Sequence, residues 1–124
     1  MHEHHSALAR EAVVRLMTEY SDATDQHVVV VFDGRSECIG EESDPGGIQV
    51  FYSRHGQTAD AVIERLVAKY AQENEITVAT GDLMEQQTVI SFGAMAITPD
   101  DLFLRLEDAR LDLSRRIEKL RRRT

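Results

Sequence analysis

The sequence predicts an α/β domain built on a mainly parallel sheet, and three observations carry that expectation. Short β-branched runs alternate with amphipathic helical segments. The run Val28-Val29-Val30-Val31-Phe32 is apolar on both faces, which suits a strand inside a parallel sheet. A long helical segment with apolar residues three or four apart closes the chain.

Taken in order, Leu8, Ala12, Leu16 and Tyr20, with Val13 alongside, form the stripe of a helix from Ser6, its N-cap, to about Ala23. His27 to Asp33 is the first strand. A loop rich in Gly, Ser, Asp and Glu follows from Gly34 to Gly47. Ile48 to Ser53 alternates through Ile48, Val50 and Tyr52, the pattern of a strand nearer the sheet edge. Thr58 caps a helix to Gln72 whose buried side carries Val62, Ile63, Leu66, Val67 and Tyr70. Glu75 to Thr80 is a strand, Met84 to Phe92 a short helix and Ala94 to Thr98 a short strand. Pro99, Asp100 and Asp101 then open the last helix, 99–124, whose apolar positions are Leu102, Leu106, Ala109, Leu113, Ile117 and Leu120. Phe51, Phe92 and Phe103 read as core. Parallel strands joined by right-handed crossovers put helices on both faces.

A chain of 124 residues fits a single domain, 1–124, with residues 1–5 as a tail. The apolar fraction of 42% and charged fraction of 29% are those of a globular protein. No apolar run approaches the roughly 20 residues a membrane span needs, and no secretory leader is evident, so a cytoplasmic protein without a membrane partner is expected. Cys38 is the lone cysteine, which excludes an internal disulfide and a multi-thiolate metal site. His2, His4 and His5 sit on a terminus with no fixed geometry for a transition metal. The net charge of -8 is unevenly placed: residues 115–124 hold six cations against Glu118, or +5, which leaves -13 for the rest. A basic arm can grip phosphate although the body is acidic, and it also complements the helix dipole.

Ligands of an open parallel sheet bind beyond the carboxyl ends of its strands. Asp33 ends the first strand, Asp60 lies in the first turn of the helix after the second, Glu64 is one turn further on, and Asp82 and Glu85 follow the third strand. Taken singly, each has a plain alternative as a helix-dipole or turn residue. Together they form an oxygen-only donor set of the kind that selects Mg2+ or Mn2+, ions that polarise a phosphodiester, activate water and stabilise a leaving oxygen. Arg54 and His55, before that helix, are candidates for phosphate contact.

Val30-Val31-Phe32-Asp33-Gly34, Thr58-Ala59-Asp60 leading to Ile63-Glu64, and Val78-Ala79-Thr80-Gly81-Asp82 with Glu85-Gln86 resemble, in order and spacing, the YacP-like NYN branch of the PIN-like ribonucleases. The likeness covers roughly residues 8 to 118. It implies a three-layer PIN-like (Rossmann-like) fold and metal-dependent endoribonuclease activity, with Asp60 and Asp82 at acidic site positions, Thr58 capping the helix that presents Asp60, and Thr80 lining the strand end. The family opens with a central strand ending in an Asp-Gly-Tyr-Asn type motif; the first central strand is missing from this chain, so we expect the true start to lie upstream. Two places suit a homodimer: the gap that strand leaves in the sheet, and the C-terminal helix.

The leading expectation is an RNA-cleaving hydrolase with Asp33, Asp60 and Asp82 as catalytic carboxylates and metal ligands. Glu64 and Glu85 support them, and Arg54, His55, Thr58, Arg115, Arg116, Arg121 and Arg122 hold RNA. The rival is a noncatalytic RNA- or ribonucleoprotein-binding module. A receiver-like domain is the third reading; against it, the adjacent acidic pair and the later lysine after a strand that such a domain carries are not evident in this chain.

Overall fold

The computed structural model describes residues 7–33, 40–43, 48–54 and 56–123. The order of elements is α1 (Ala7–Thr24), β1 (Val29–Phe32), β2 (Gly40–Ser43), β3 (Gln49–Tyr52), α2 (Ala59–Tyr70), β4 (Thr77–Ala79), α3 (Leu83–Ser91), β5 (Met95–Ile97) and α4 (Pro99–Arg123). This is a mixed α/β fold with short parallel strands and a long C-terminal helix, as the patterning predicts. Ser6 and the histidines of the N-terminus, Cys38 and His55 lie outside the described residues. The chain divides into two compact units, Met1–Lys69 and Tyr70–Thr124.

In the first unit the strands run in the order β1-β3-β2. β1 and β3 are parallel, with Val29 opposite Gln49 and Phe32 opposite Tyr52. β2 is antiparallel to β3, with Gly40 opposite Tyr52 and Ser43 opposite Gln49. Two expectations are corrected here. The segment 34–47, read as loop throughout, contributes β2, because its polar residues take the outer position of the sheet, where backbone pairing needs little apolar cover. β3 is consequently central rather than near the edge, while the more apolar β1 has a neighbour on one side among the described residues.

The core of this unit is Phe32, Ile48 and Val50, with Val13, Val14, Met17, Val28, Val30 and Tyr52 packed on it. Each fully buried aliphatic or aromatic side chain contributes about 1.5–3 kcal/mol. The α1 residues that reach the core therefore lie partly beside the expected stripe, and Leu8, at its start, is exposed. α1 ends where Asp25 takes φ 62°, with its N–H donating to Ser21 O at 2.8 Å, a left-handed cap that a short polar residue tolerates.

In the second unit β4 and β5 are parallel, with Val78 opposite Ala96. Val78, Val89, Ala94 and Leu106 are its buried apolar residues. α3 stops in a Schellman arrangement: Gly93 has φ 106°, Ala94 N–H donates to Val89 O at 2.9 Å and Gly93 N–H to Ile90 O at 3.0 Å. α4 starts with a reciprocal cap. Thr98 Oγ1 accepts the Asp101 N–H at 3.1 Å, and Asp101 Oδ2 accepts the Thr98 N–H at 3.4 Å. Pro99 at the first helical position needs no donor partner. Phe92, Phe103 and Tyr70, read as buried, are exposed. Each lies three residues from a buried residue of its helix, Val67, Val89 or Leu106, at the margin of the covered stripe, and aromatic character alone does not reveal where that cover ends. Among the described residues no helix is long and apolar enough to cross a membrane.

Candidate active site

The parallel register sets where Asp33 emerges. Phe32 and Tyr52 sit opposite each other at the carboxyl ends of β1 and β3, their rings 5.7 Å apart, and Ser53 N–H donates to Phe32 O at 3.0 Å. This closes the strand pair immediately before Asp33. The chain leaving β3 starts from that same end, and Ala59 N–H donates to Asp33 Oδ1 at 2.8 Å. The carboxylate at the end of one strand thus holds the first turn of the helix that follows another. Asp60 is the next residue in that turn, and Glu64, one turn later on the same face, is half-buried.

Thr58 completes this N-terminus, its Oγ1 accepting the Ala61 N–H at 3.1 Å and its carbonyl the Val62 N–H at 3.3 Å. The threonine expected to cap α2 does so, and Asp33 adds a second acceptor from 26 positions earlier. Two orphan amides of the helix are satisfied, and a carboxylate sits at the positive end of its dipole. Arg54 is exposed just after β3.

The second unit repeats the device. Asp82 is the N-cap of α3, its Oδ1 accepting the Met84 N–H at 2.9 Å and the Glu85 N–H at 3.3 Å. Asp82 N–H donates to Thr80 Oγ1 at 3.2 Å, and Gln86 Nε2 donates to Thr80 O at 2.8 Å. Glu85 is 4% exposed, an unusual depth for a carboxylate three residues into a helix. Sequence reasoning passed over Gln86 as a positioning residue, although its place four residues after Asp82 is the signal. Leu83 and Met84 are exposed beside Asp82. Nothing in an apolar pair at a helix start marks it as uncovered.

Arg115, Arg116, Arg121 and Arg122 lie on the exposed end of α4, where Arg116 pairs with Asp112 at 2.8 Å. Such exposed pairs contribute about 0–1 kcal/mol and exchange readily for other anions. The carboxylates supply the hard oxygen donors that Mg2+ and Mn2+ prefer. Among the described residues, however, no group of three or more His, Cys, Asp or Glu side chains is gathered as a metal site.

The family model of the YacP-like NYN domain matches residues 1–124. The chain belongs to that family. NYN domains are part of the PIN-like nuclease superfamily, whose members are generally dependent on divalent metals. A curated member, the uncharacterized protein YacP of Bacillus subtilis (strain 168), is 28% identical over 114 residues, 90% of this chain and 67% of the relative. Two crystal structures of Rae1 (YacP) from Bacillus subtilis share the fold. A point mutant superimposes with a TM-score of 0.75 at 28% identity, covering 92% of this chain and 67% of that one. The other gives a TM-score of 0.71 at 29% identity, covering 90% and 66%. The chain thus spans about two-thirds of the length of these family members.

Proposed function

We propose that this NYN domain is a divalent-metal-dependent endoribonuclease that hydrolyses RNA phosphodiesters with Mg2+ or Mn2+. The observation that supports the reading best is the bond from Ala59 N–H to Asp33 Oδ1, which fixes two acidic residues from distant stretches of chain at one helix start. Membership of a nuclease superfamily supports the reaction class.

The reading assigns Asp33, Asp60 and Asp82 to catalysis and metal binding, with Glu64 and Glu85 in support. When bound, the metal supplies Lewis-acid stabilisation of the charge that develops on phosphate. The protein's part is to hold its carboxylates still: Asp33 and Asp82 each have Oδ1 tied to a helix amide, so each side chain arrives oriented. Arg54, His55 and Thr58 are assigned to RNA contact in the same reading. The cations of α4 provide the sequence-independent grip on phosphate that an acidic body cannot. A cytoplasmic location, where RNA is available, belongs to the same proposal.

The test is cleavage of labelled RNA with Mg2+ or Mn2+, comparing the wild-type chain with Asp60→Asn. The variant is expected to keep its fold by circular dichroism and to lose cleavage; equal cleavage by the two rejects the assignment. A second reading is a noncatalytic RNA- or ribonucleoprotein-binding module, favoured by the lack of a gathered three-ligand group among the described residues. RNA binding that needs no metal, with no turnover in either metal, would establish it.

A further inference from the structure

α4 is polarised both in charge and in where its leucines lie. From Pro99 to Asp112 it carries Asp100, Asp101, Glu107, Asp108 and Asp112 against Arg105 and Arg110, a net -3. From Leu113 to Arg123 it carries six cations against Glu118, a net +5. Each half also shows an uncovered apolar patch. Leu104 and Leu111, 60% and 54% exposed, lie seven residues apart on one face of the acidic half. Leu113, Ile117 and Leu120, 45% to 62% exposed, form an i, i+4, i+7 stripe on the basic half. That stripe continues the line of Leu106, which is 1% exposed, past the point where its own unit covers it. Both patches span seven residues, roughly 10 Å of helix.

We propose that α4 joins copies of this chain head to tail, the basic Leu113-Ile117-Leu120 stripe of one copy seating on the acidic Leu104-Leu111 patch of the next. Charge complementarity selects this occupant. Pairing either half with itself sets like charges together, whereas pairing the two different halves brings Arg116 and Arg123, beside one stripe, toward Glu107 and Asp108, beside the other. At 100° per residue the two patches face directions roughly 160° apart, so a straight two-fold helix pair cannot engage both at once. The contact is therefore heterologous, and each added copy leaves one patch of each kind open. A contact this small belongs to the weak, transient class. Arg115, Lys119 and Arg122, at i, i+4 and i+7 on another face, stay clear of the stripe and remain open to phosphate.

The test is sedimentation velocity of the full chain, treated with nuclease to remove RNA, over a range of protein concentrations at low and high salt. The mass is expected to rise beyond a dimer with concentration and to fall with salt. Leu104→Lys/Leu111→Lys and Ile117→Glu/Leu120→Glu alter exposed positions, so both are expected to fold, to be checked by circular dichroism, and to sediment as monomers. Mixed, they are expected to form a one-to-one pair, because each retains the patch the other lacks. A wild-type chain that stays monomeric at every concentration overturns the proposal. So does a mixture that does not pair, or a mass increase seen only when RNA is added back, which would make RNA the ligand of the stripe.

Discussion

Replacing Asp33 separates two duties that a single carboxylate performs. Its Oδ1 accepts the Ala59 N–H at 2.8 Å, and its charge faces the first turn of α2, where Asp60 sits. A hydrogen bond to a charged acceptor contributes about 1.5–3 kcal/mol, but Asp33 is exposed, and solvent screening moves the figure toward the helix-cap scale of about 1 kcal/mol. Asp33→Ala should therefore lower the melting temperature by roughly 3–5 °C in a domain of this size. Asp33→Asn keeps an oxygen in the same place, so its stability should stay within about 0.5 kcal/mol of wild type. Activity should divide differently. If the carboxylate contributes about 3 kcal/mol of transition-state stabilisation through the metal, both variants lose about 100-fold in kcat/KM. The assay is thermal unfolding by circular dichroism beside metal-dependent cleavage of labelled RNA. Wild-type cleavage by Asp33→Asn would refute the reasoning and leave Asp33 as a helix cap alone.

Two further outcomes follow from the geometry. Gly93→Ala should cost about 1–2 kcal/mol, read as a lower urea midpoint at unchanged slope, because Gly93 has φ 106° while a new Cβ would meet only Ala71 Cβ at 3.5 Å, an ordinary contact. Arg115→Gln/Arg122→Gln should leave folding intact and weaken RNA binding, reducing the slope of log K against log salt by about 0.7 for each single-strand phosphate that is no longer neutralised; an unchanged slope would exclude these arginines from the grip.

The order and type of most elements were legible because each has a local cause. The valine run, the Thr58 cap, and Pro99 with its two aspartates act within a few residues of themselves. β2 was not legible, since Gly40–Ser43 has loop composition and becomes a strand through pairing with β3. The rank of β3 in its sheet was hidden for the same reason. Burial of aromatics failed at Phe92 and Phe103, which are i, i+3 neighbours of the buried Val89 and Leu106 yet sit where the cover of each helix ends. At the candidate site, the acidic positions at strand ends followed from topology and Thr58 from capping rules. The bond from Ala59 to Asp33 spans 26 positions, and no local pattern announces it.

The structural and functional readings of the acidic residues are not exclusive, and Asp82 shows how to divide them. Its Oδ1 takes both capping bonds of α3, from Met84 N–H at 2.9 Å and Glu85 N–H at 3.3 Å, and no capping bond goes to Oδ2. A cap explains why the side chain is held; it does not need a second oxygen or a charge. Serine caps about as well as aspartate, so Asp82→Ser should keep α3 within about 0.5 kcal/mol of wild type while removing the charge and the spare oxygen. Cleavage measured beside the melting curve then isolates the carboxylate's chemistry from its architecture. A fall of about 100-fold with an unshifted melting curve assigns Asp82 to the reaction, by the same arithmetic of about 1.4 kcal/mol per tenfold. Unimpaired cleavage by the serine variant would mean that the sequence keeps aspartate there for the helix.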